Sequence, residues 1–124
     1  MRVLVCGSTS WRWRELVEER LAALADEAGR DGGRLEVVTA GAGGADRFAE
    51  DAARALGVDR VVFRSGWDEA GRRSSHDHVP RMIAERPDLV LAFRDVGDSP
   101  GTDRIVALAR EAGIPVTEVP PPGP

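Results

Sequence analysis

Five short apolar runs punctuate this chain, and four stretches with helical spacing separate them. No other feature of the sequence constrains the fold as tightly. The runs are "RVLVC" (residues 2–6), "LEVVT" (35–39), "RVVF" (60–63), "DLVLAF" (88–93) and "PVTEV" (115–119). Most are nearly continuous in apolar and β-branched residues, the pattern of strands covered on both faces. From Trp11 to Ala28 the apolar residues Trp13, Leu16, Val17, Leu21, Leu24 and Ala28 recur at helical spacing. Ser10 is the expected N-cap there and Gly29 the stop. A second helix is expected over Ala45 to Leu56, closed by Gly57. A short third runs from Val79 to Arg86, with Pro80 in its first turn and Pro87 beyond it. The fourth spans Thr102 to Ala112, before Gly113. An order βαβαβαβαβ calls for a three-layer α/β domain, a mostly parallel five-stranded sheet with helices on both faces. Right-handed crossovers leave few topologies, and strand order 3-2-1-4-5 is the expected one. It places a switch point between strands 1 and 4. Pro115 marks the fifth strand as an edge. Residues 1–119 read as one domain and "PPPGP" (120–124) as a Pro-rich disordered tail.

Composition enters by exclusion. All 17 basic residues are arginine. Without lysine there is no phosphate-binding P-loop lysine, no Schiff base and no amine nucleophile. The formal charge of −4 gives no reason to expect nucleic acid or an anionic membrane as partner. No apolar stretch approaches the ~20 residues of a membrane span, and "MRVLVCG" reads as a strand, so a cytoplasmic location is expected. A single cysteine, Cys6, excludes an internal disulfide and is expected as a small buried hydrophobe. No metal and no cofactor is expected. His76 and His78 are two potential ligands without an evident third.

In open α/β sheets, ligands bind beyond the carboxyl ends of the strands at the switch point. Three loops fall there: "GSTSW" after strand 1, "AGAGGAD" after strand 2 and "RDVGDSPGT" after strand 4. Each opens a helix, whose first N–H groups lack intrahelical acceptors and carry partial positive charge. Glycines at 41, 43 and 44 would let a phosphate approach bare backbone. Ser8, Thr9, Ser10 and Thr102 add hydroxyls. The same glycines also suit tight turns with no ligand at all. Asp46 and Asp103, just inside helix starts, either complement the dipole or face a sugar; Asp68 and Asp98 also fall near this edge. Arg72, Arg73 and Arg81 make a local cationic patch that is either an anion clamp or a solvated surface. Trp11 and Trp67 adjoin loops and are candidates for stacking a base, whereas Trp13 falls on the apolar stripe. The polar stretch from Arg64 to His78 is too long for a passive connection and is expected to be functional or mobile.

Together, "RVLVCGSTSW", "GAGGADRFAEDAARALGV", the Gly66-Trp67 and Gly71-Arg72 pairs, Arg81-Met82, "PDLVLAF", Gly101-Thr102 and "AGIPV" resemble the SLOG superfamily. Within it they are similar to the small YspA-like (cpYpsA-related) proteins, over Met1 to about Val119. The G-x-x-G-A-D block at Gly41 to Asp46 is the most specific piece. The resemblance implies a Rossmann-like fold and a nucleotide or ADP-ribose-derived ligand. It implies contacts from Gly7, Ser8, Gly43, Gly44, Asp46, Gly101 and Thr102. The related LOG proteins are phosphoribohydrolases with a P-G-G-x-G-T-x-x-E motif. Here Gly101 and Thr102 are kept, but Ile105 stands at the glutamate position. His78 stands where the YspA-like pattern has arginine, which touches a phosphate contact there.

The expectation is therefore a module binding a phosphorylated, nucleotide-derived small molecule, in a sensing or carrier role. Its ligand contacts are Gly7, Ser8, Thr9, Gly41, Gly43, Gly44, Asp46, Trp67, Arg72, Arg81, Gly101 and Thr102. The rival enzyme would cleave the N-glycosidic bond of a nucleoside 5′-monophosphate, with Asp46 or Asp103 as the carboxylate. The third reading is an interaction module without a ligand. A homodimer fits any of these.

Overall fold

The structure is a computed structural model and describes residues 1–41, 43–63, 79–95 and 100–122. Its strands are β1 (Arg2–Gly7), β2 (Glu36–Thr39), β3 (Asp59–Val62), β4 (Leu89–Phe93) and β5 (Val116–Val119). Its helices are α1 (Arg14–Arg30), α2 (Ala45–Leu56), α3 (Val79–Ala84) and α4 (Pro100–Glu111). The strands pair in parallel in the order β3-β2-β1-β4-β5, as the alternation predicts. β1 is central, with Val3 opposite Val37 on one side and Leu89 on the other.

The period of two along β1 divides the core. Val3 and Val5 face α1 and α2, among Val17, Leu21, Val37, Ala45, Ala49 and Ala53. Leu4 and Cys6 face α3 and α4, among Val38, Met82, Val90, Ile105, Val106 and Ala109. Apart from Asp46 in its first turn, the buried residues of α2 are all alanine (Ala45, Ala49, Ala52, Ala53). Small side chains there bring the helix axis close to the strands, which fixes how near its first turn comes to β1.

Several sequence expectations shift: α3 ends at Ala84, not Arg86, α4 begins at Pro100, not Thr102, and three further shifts have a visible cause. Helix α1 begins at Arg14, not Trp11, and Ser10 does not cap it; Trp13 stands at the N-cap with no side-chain bond. The cause is Trp11. Its side chain is only 2% exposed, edge-on to Trp13 and Phe93 with centroids 4.9 and 5.4 Å apart. Its indole N–H donates to the Trp13 carbonyl (3.1 Å). Burying that indole outweighs one more helical turn, and Trp11 is unavailable for stacking a ligand base. Second, Gly29 lies inside α1, which ends at Arg30, with Gly32 (φ +79°) making the reversal. Third, β3 is displaced by one residue to Asp59–Val62, because its register is set by Glu36 opposite Asp59. By contrast α2 and its αL cap Gly57 fall where the periodicity puts them. β5 is an edge strand, as Pro115 implied.

Candidate functional site

Strand β1 ends at Gly7, opposite Phe93. A Cβ on Gly7 would lie 2.2 Å from the Phe93 carbonyl oxygen and 2.8 Å from the Ala45 Cβ. Only glycine lets the first turn of α2 pack against the ends of β1 and β4. This residue is a packing requirement before it is a ligand contact.

Ser8 follows and is buried. Its N–H extends the ladder to the Phe93 carbonyl (3.0 Å). Its carbonyl accepts from the Trp11 N–H (3.1 Å) and, at longer range, from the Ala45 N–H at the start of α2 (3.5 Å). Its hydroxyl accepts from the Asp95 N–H, at 3.1 Å, in the loop after β4. One residue therefore ties together the three loops that the strand order brings to the switch point. Ser10 adds a strut, its hydroxyl donating to Asp95 Oδ2 (2.6 Å). This use of Ser10 replaces the capping role expected of it.

The glycine loop after β2 has two kinds of glycine. Gly44 has φ +64°, and a Cβ there would lie 2.4 Å from the Ser8 oxygen and 2.6 Å from the Thr9 oxygen. Its bareness serves the approach of two loops. Gly41 also has positive φ, +72°. Gly43 is exposed, and a Cβ on it would meet nothing within 4 Å. The open space beside the first turn of α2 lies here. Gly101, in the first turn of α4, likewise has open space around it.

Asp46, second residue of α2, is 3% exposed, and Thr102 of α4 is buried too. Thr39, last in β2, is wholly buried, and its hydroxyl has no hydrogen-bond partner among the described residues. The Asp46 charge reaches Cys6. Burial first, and Asp46 second, push the Cys6 thiol well above the usual range, against a smaller opposite pull from Arg94. Cys6 is thus a neutral, packed side chain, as the sequence suggested.

Asp103 lies on the outer side of α4, paired with the Arg94 guanidinium. Arg94 Nε is also 3.1 Å from Glu118 Oε1, a charge contact without hydrogen-bond alignment, and Glu118 reaches Arg110 at 3.5 Å. The bond from Asp103 keeps Arg94 firmly charged. Ile105, at the position where LOG hydrolases have glutamate, is buried in the apolar layer between α4 and the sheet. Thr9 is exposed at the rim. Arg81, on α3, lies over the Phe63 ring at 5.7 Å. Trp67, Arg72, Arg73, His76, His78, Asp68 and Asp98 lie outside the described residues.

The structure thus brings Gly7, Ser8, Gly43, Gly44 and Asp46 to one point, with Thr102 on the α4 side. Sequence reading passed over Thr39, Phe63, Arg94 and Asp95. For the last two the signal was available, since both directly follow the strand that flanks the switch point. Cavities of about 320–330 Å³ lie elsewhere among the described residues: at the amino edge of the sheet, beside Arg34, Asp59 and Arg86; between α1 and α2, beside Arg14, Glu18 and Leu56; and at the β5 edge, beside Arg94, Glu118 and Val119. Among the described residues no group of three potential metal ligands occurs, and no helix is long and apolar enough to cross a membrane.

A family model described as YspA, cpYpsA-related SLOG family matches residues 1–69. The Gene 61 protein of Mycobacterium phage D29 is 36% identical over 120 residues, covering 93% of each chain. The X-ray structure of TM1055, a structural-genomics target, superposes with a TM-score of 0.66 over 93% of this chain and 71% of that one, at 21% identity, and so shares the fold. The chain belongs to the YspA, cpYpsA-related SLOG family.

Proposed function

We propose that this member of the SLOG family binds a phosphorylated, nucleotide-derived small molecule at the carboxyl edge of its sheet. One observation carries the reading: Ser8 locks three loops into a single rim, and the space they leave is at Gly43, beside a helix start. Helix N-termini favour anions through oriented N–H groups and the helix dipole. A phosphate at Gly43 would use the first turn of α2 and the rim hydroxyl of Thr9. Asp46 would orient that turn or a ribose hydroxyl, and Thr102 and Gly101 would form the far wall. Arg72 and Trp67, which follow β3 in the sequence, complete the proposed contact set.

Binding stabilises the folded state by mass action, by about 2.7 kcal/mol at a hundredfold excess over Kd. A panel of AMP, ADP-ribose and NAD should therefore raise the melting temperature by several degrees for at least one member. Native mass spectrometry should show the corresponding adduct. No shift and no adduct with any of them sinks the proposal.

The phosphoribohydrolase reading has one observation in its favour, the buried carboxylate of Asp46 at the site. Against it stand Ile105 in the core and Asp103 drawn to Arg94. Free base released from AMP, and lost in Asp46→Asn, would establish turnover; its absence leaves a binding module.

A further inference from the structure

We infer that Phe63 and Arg81 form a clamp for the planar base of this ligand, so that Arg81 reads the base and not a phosphate. The inference rests on the proposed nucleotide-derived ligand and adds to it the group that the far end of the site selects.

Phe63 is the first residue after β3. Its N–H donates to the Thr39 carbonyl (2.8 Å), carrying the sheet register one step past the strand and placing the ring beside the start of the glycine loop. The side chain is half-buried. With Ala40 and Ile83, it packs against the core on the α3 and α4 side. From the central strand to β3 is two strand spacings, roughly 10 Å. A phosphate held against the Ser8 loop, at the end of that central strand, leaves its sugar and base to extend past the glycine loop toward Phe63.

The Arg81 guanidinium stands 5.7 Å from the ring centroid. The other two such pairs among the described residues, Arg12 over Trp13 and Arg14 over Phe48, are closer, at 4.9 and 4.6 Å. Carbon atoms in contact lie about 3.5 Å apart, so a base slipped between ring and guanidinium needs about 7 Å. At 5.7 Å the pair is the looser contact, and a separation of about 7 Å lies little more than 1 Å beyond it. Arg81 is exposed, and its side chain has no ion pair or hydrogen bond to any described residue. An arginine laid over a ring offers its flat face to a base, and its donors to the acceptor atoms on the base edge. A phosphate would instead be met by the end-on fork.

The test is calorimetric titration of the full chain with AMP and with ribose 5-phosphate, which differ in the base. The wild type should bind AMP at least tenfold more tightly. Phe63→Leu should lower AMP affinity about tenfold and leave ribose 5-phosphate within twofold, the loss expected of one base–aromatic stack. Phe63→Trp should keep the preference. Arg81→Gln, at an exposed position, should cut AMP affinity selectively and folds even if Phe63→Leu does not. Equal wild-type affinity for the two ligands overturns the clamp while leaving the phosphate site in place. So does an Arg81→Gln variant that weakens both ligands alike, which would make Arg81 a phosphate contact. Binding of neither ligand overturns the clamp, and the site falls with it if ADP-ribose and NAD also fail to bind.

Discussion

At Gly44 a positive φ and two carbonyl oxygens leave no room for a side chain, whereas its neighbour Gly43 faces open space. Gly44→Ala should cost at least 2 kcal/mol, from strain and steric displacement of the Ser8 loop. Gly43→Ala should fold with near-normal stability and weaken nucleotide binding, because its new methyl group occupies the space proposed for the phosphate. Urea denaturation and ligand titration on the two variants separate turn from site; equal stability loss in both would remove the distinction. Cys6 offers a pH test. Its folded-state pKa is raised, so the neutral thiol stabilises the fold fully below its ordinary pKa of about 8.5. That contribution fades as pH climbs beyond it. Melting curves from pH 7 to 10.5 should show the wild type losing more stability than Cys6→Ala above about pH 8.5. A constant difference between the two would mean the thiol is not held neutral by burial.

Helix α3 ends in an unusual way. Arg86 takes φ +59°, just before Pro87, with its N–H on the Ile83 carbonyl (3.0 Å). A non-glycine residue there carries roughly 1 kcal/mol of steric cost. Arg86→Gly should therefore raise the urea midpoint at unchanged slope, by up to about 1 kcal/mol after glycine's own entropy is offset. A lower midpoint would show that the Arg86 side chain stabilises more than its backbone costs. On α4, the position where related hydrolases have glutamate is built into the core. Ile105→Glu should cost about 3 kcal/mol or more as a buried unpaired charge, measured by urea denaturation. Element by element, what the sequence revealed was whatever depends on local period: α2, its glycine cap and the strand runs. The start of α1 was hidden because the choice was made by Trp11 burying its indole against Phe93, a residue 82 positions later. Periodicity carries no record of that.

For the whole molecule, sheet order could be derived because alternation and crossover handedness leave few arrangements. The site was derivable only as an address. That three loops meet at one edge follows from the topology; that a serine joins them does not. The Ser8–Asp95 bond spans 87 residues, and no spacing rule connects them. Thr39 was missed for a similar reason, since an unpartnered hydroxyl is a property of three-dimensional surroundings. Thr39→Val should be neutral or mildly stabilising in the unliganded protein, because it removes a polar group with nothing to bond. A loss above about 1 kcal/mol would mean that the hydroxyl has a partner in solution.

The junction at Ser8 also decides how this edge of the molecule comes apart. Segments that share hydrogen bonds open together, and native-state amide exchange reports them as one cooperative unit. The amides of Ser8, Trp11, Ala45 and Asp95, far apart in the chain, should exchange with closely similar opening free energies. In Ser8→Ala the Asp95 amide should separate from the others and exchange faster. A ligand touching only one of the loops would then slow exchange in all three, and the molecule would register its occupant as a change in the breathing of a whole rim.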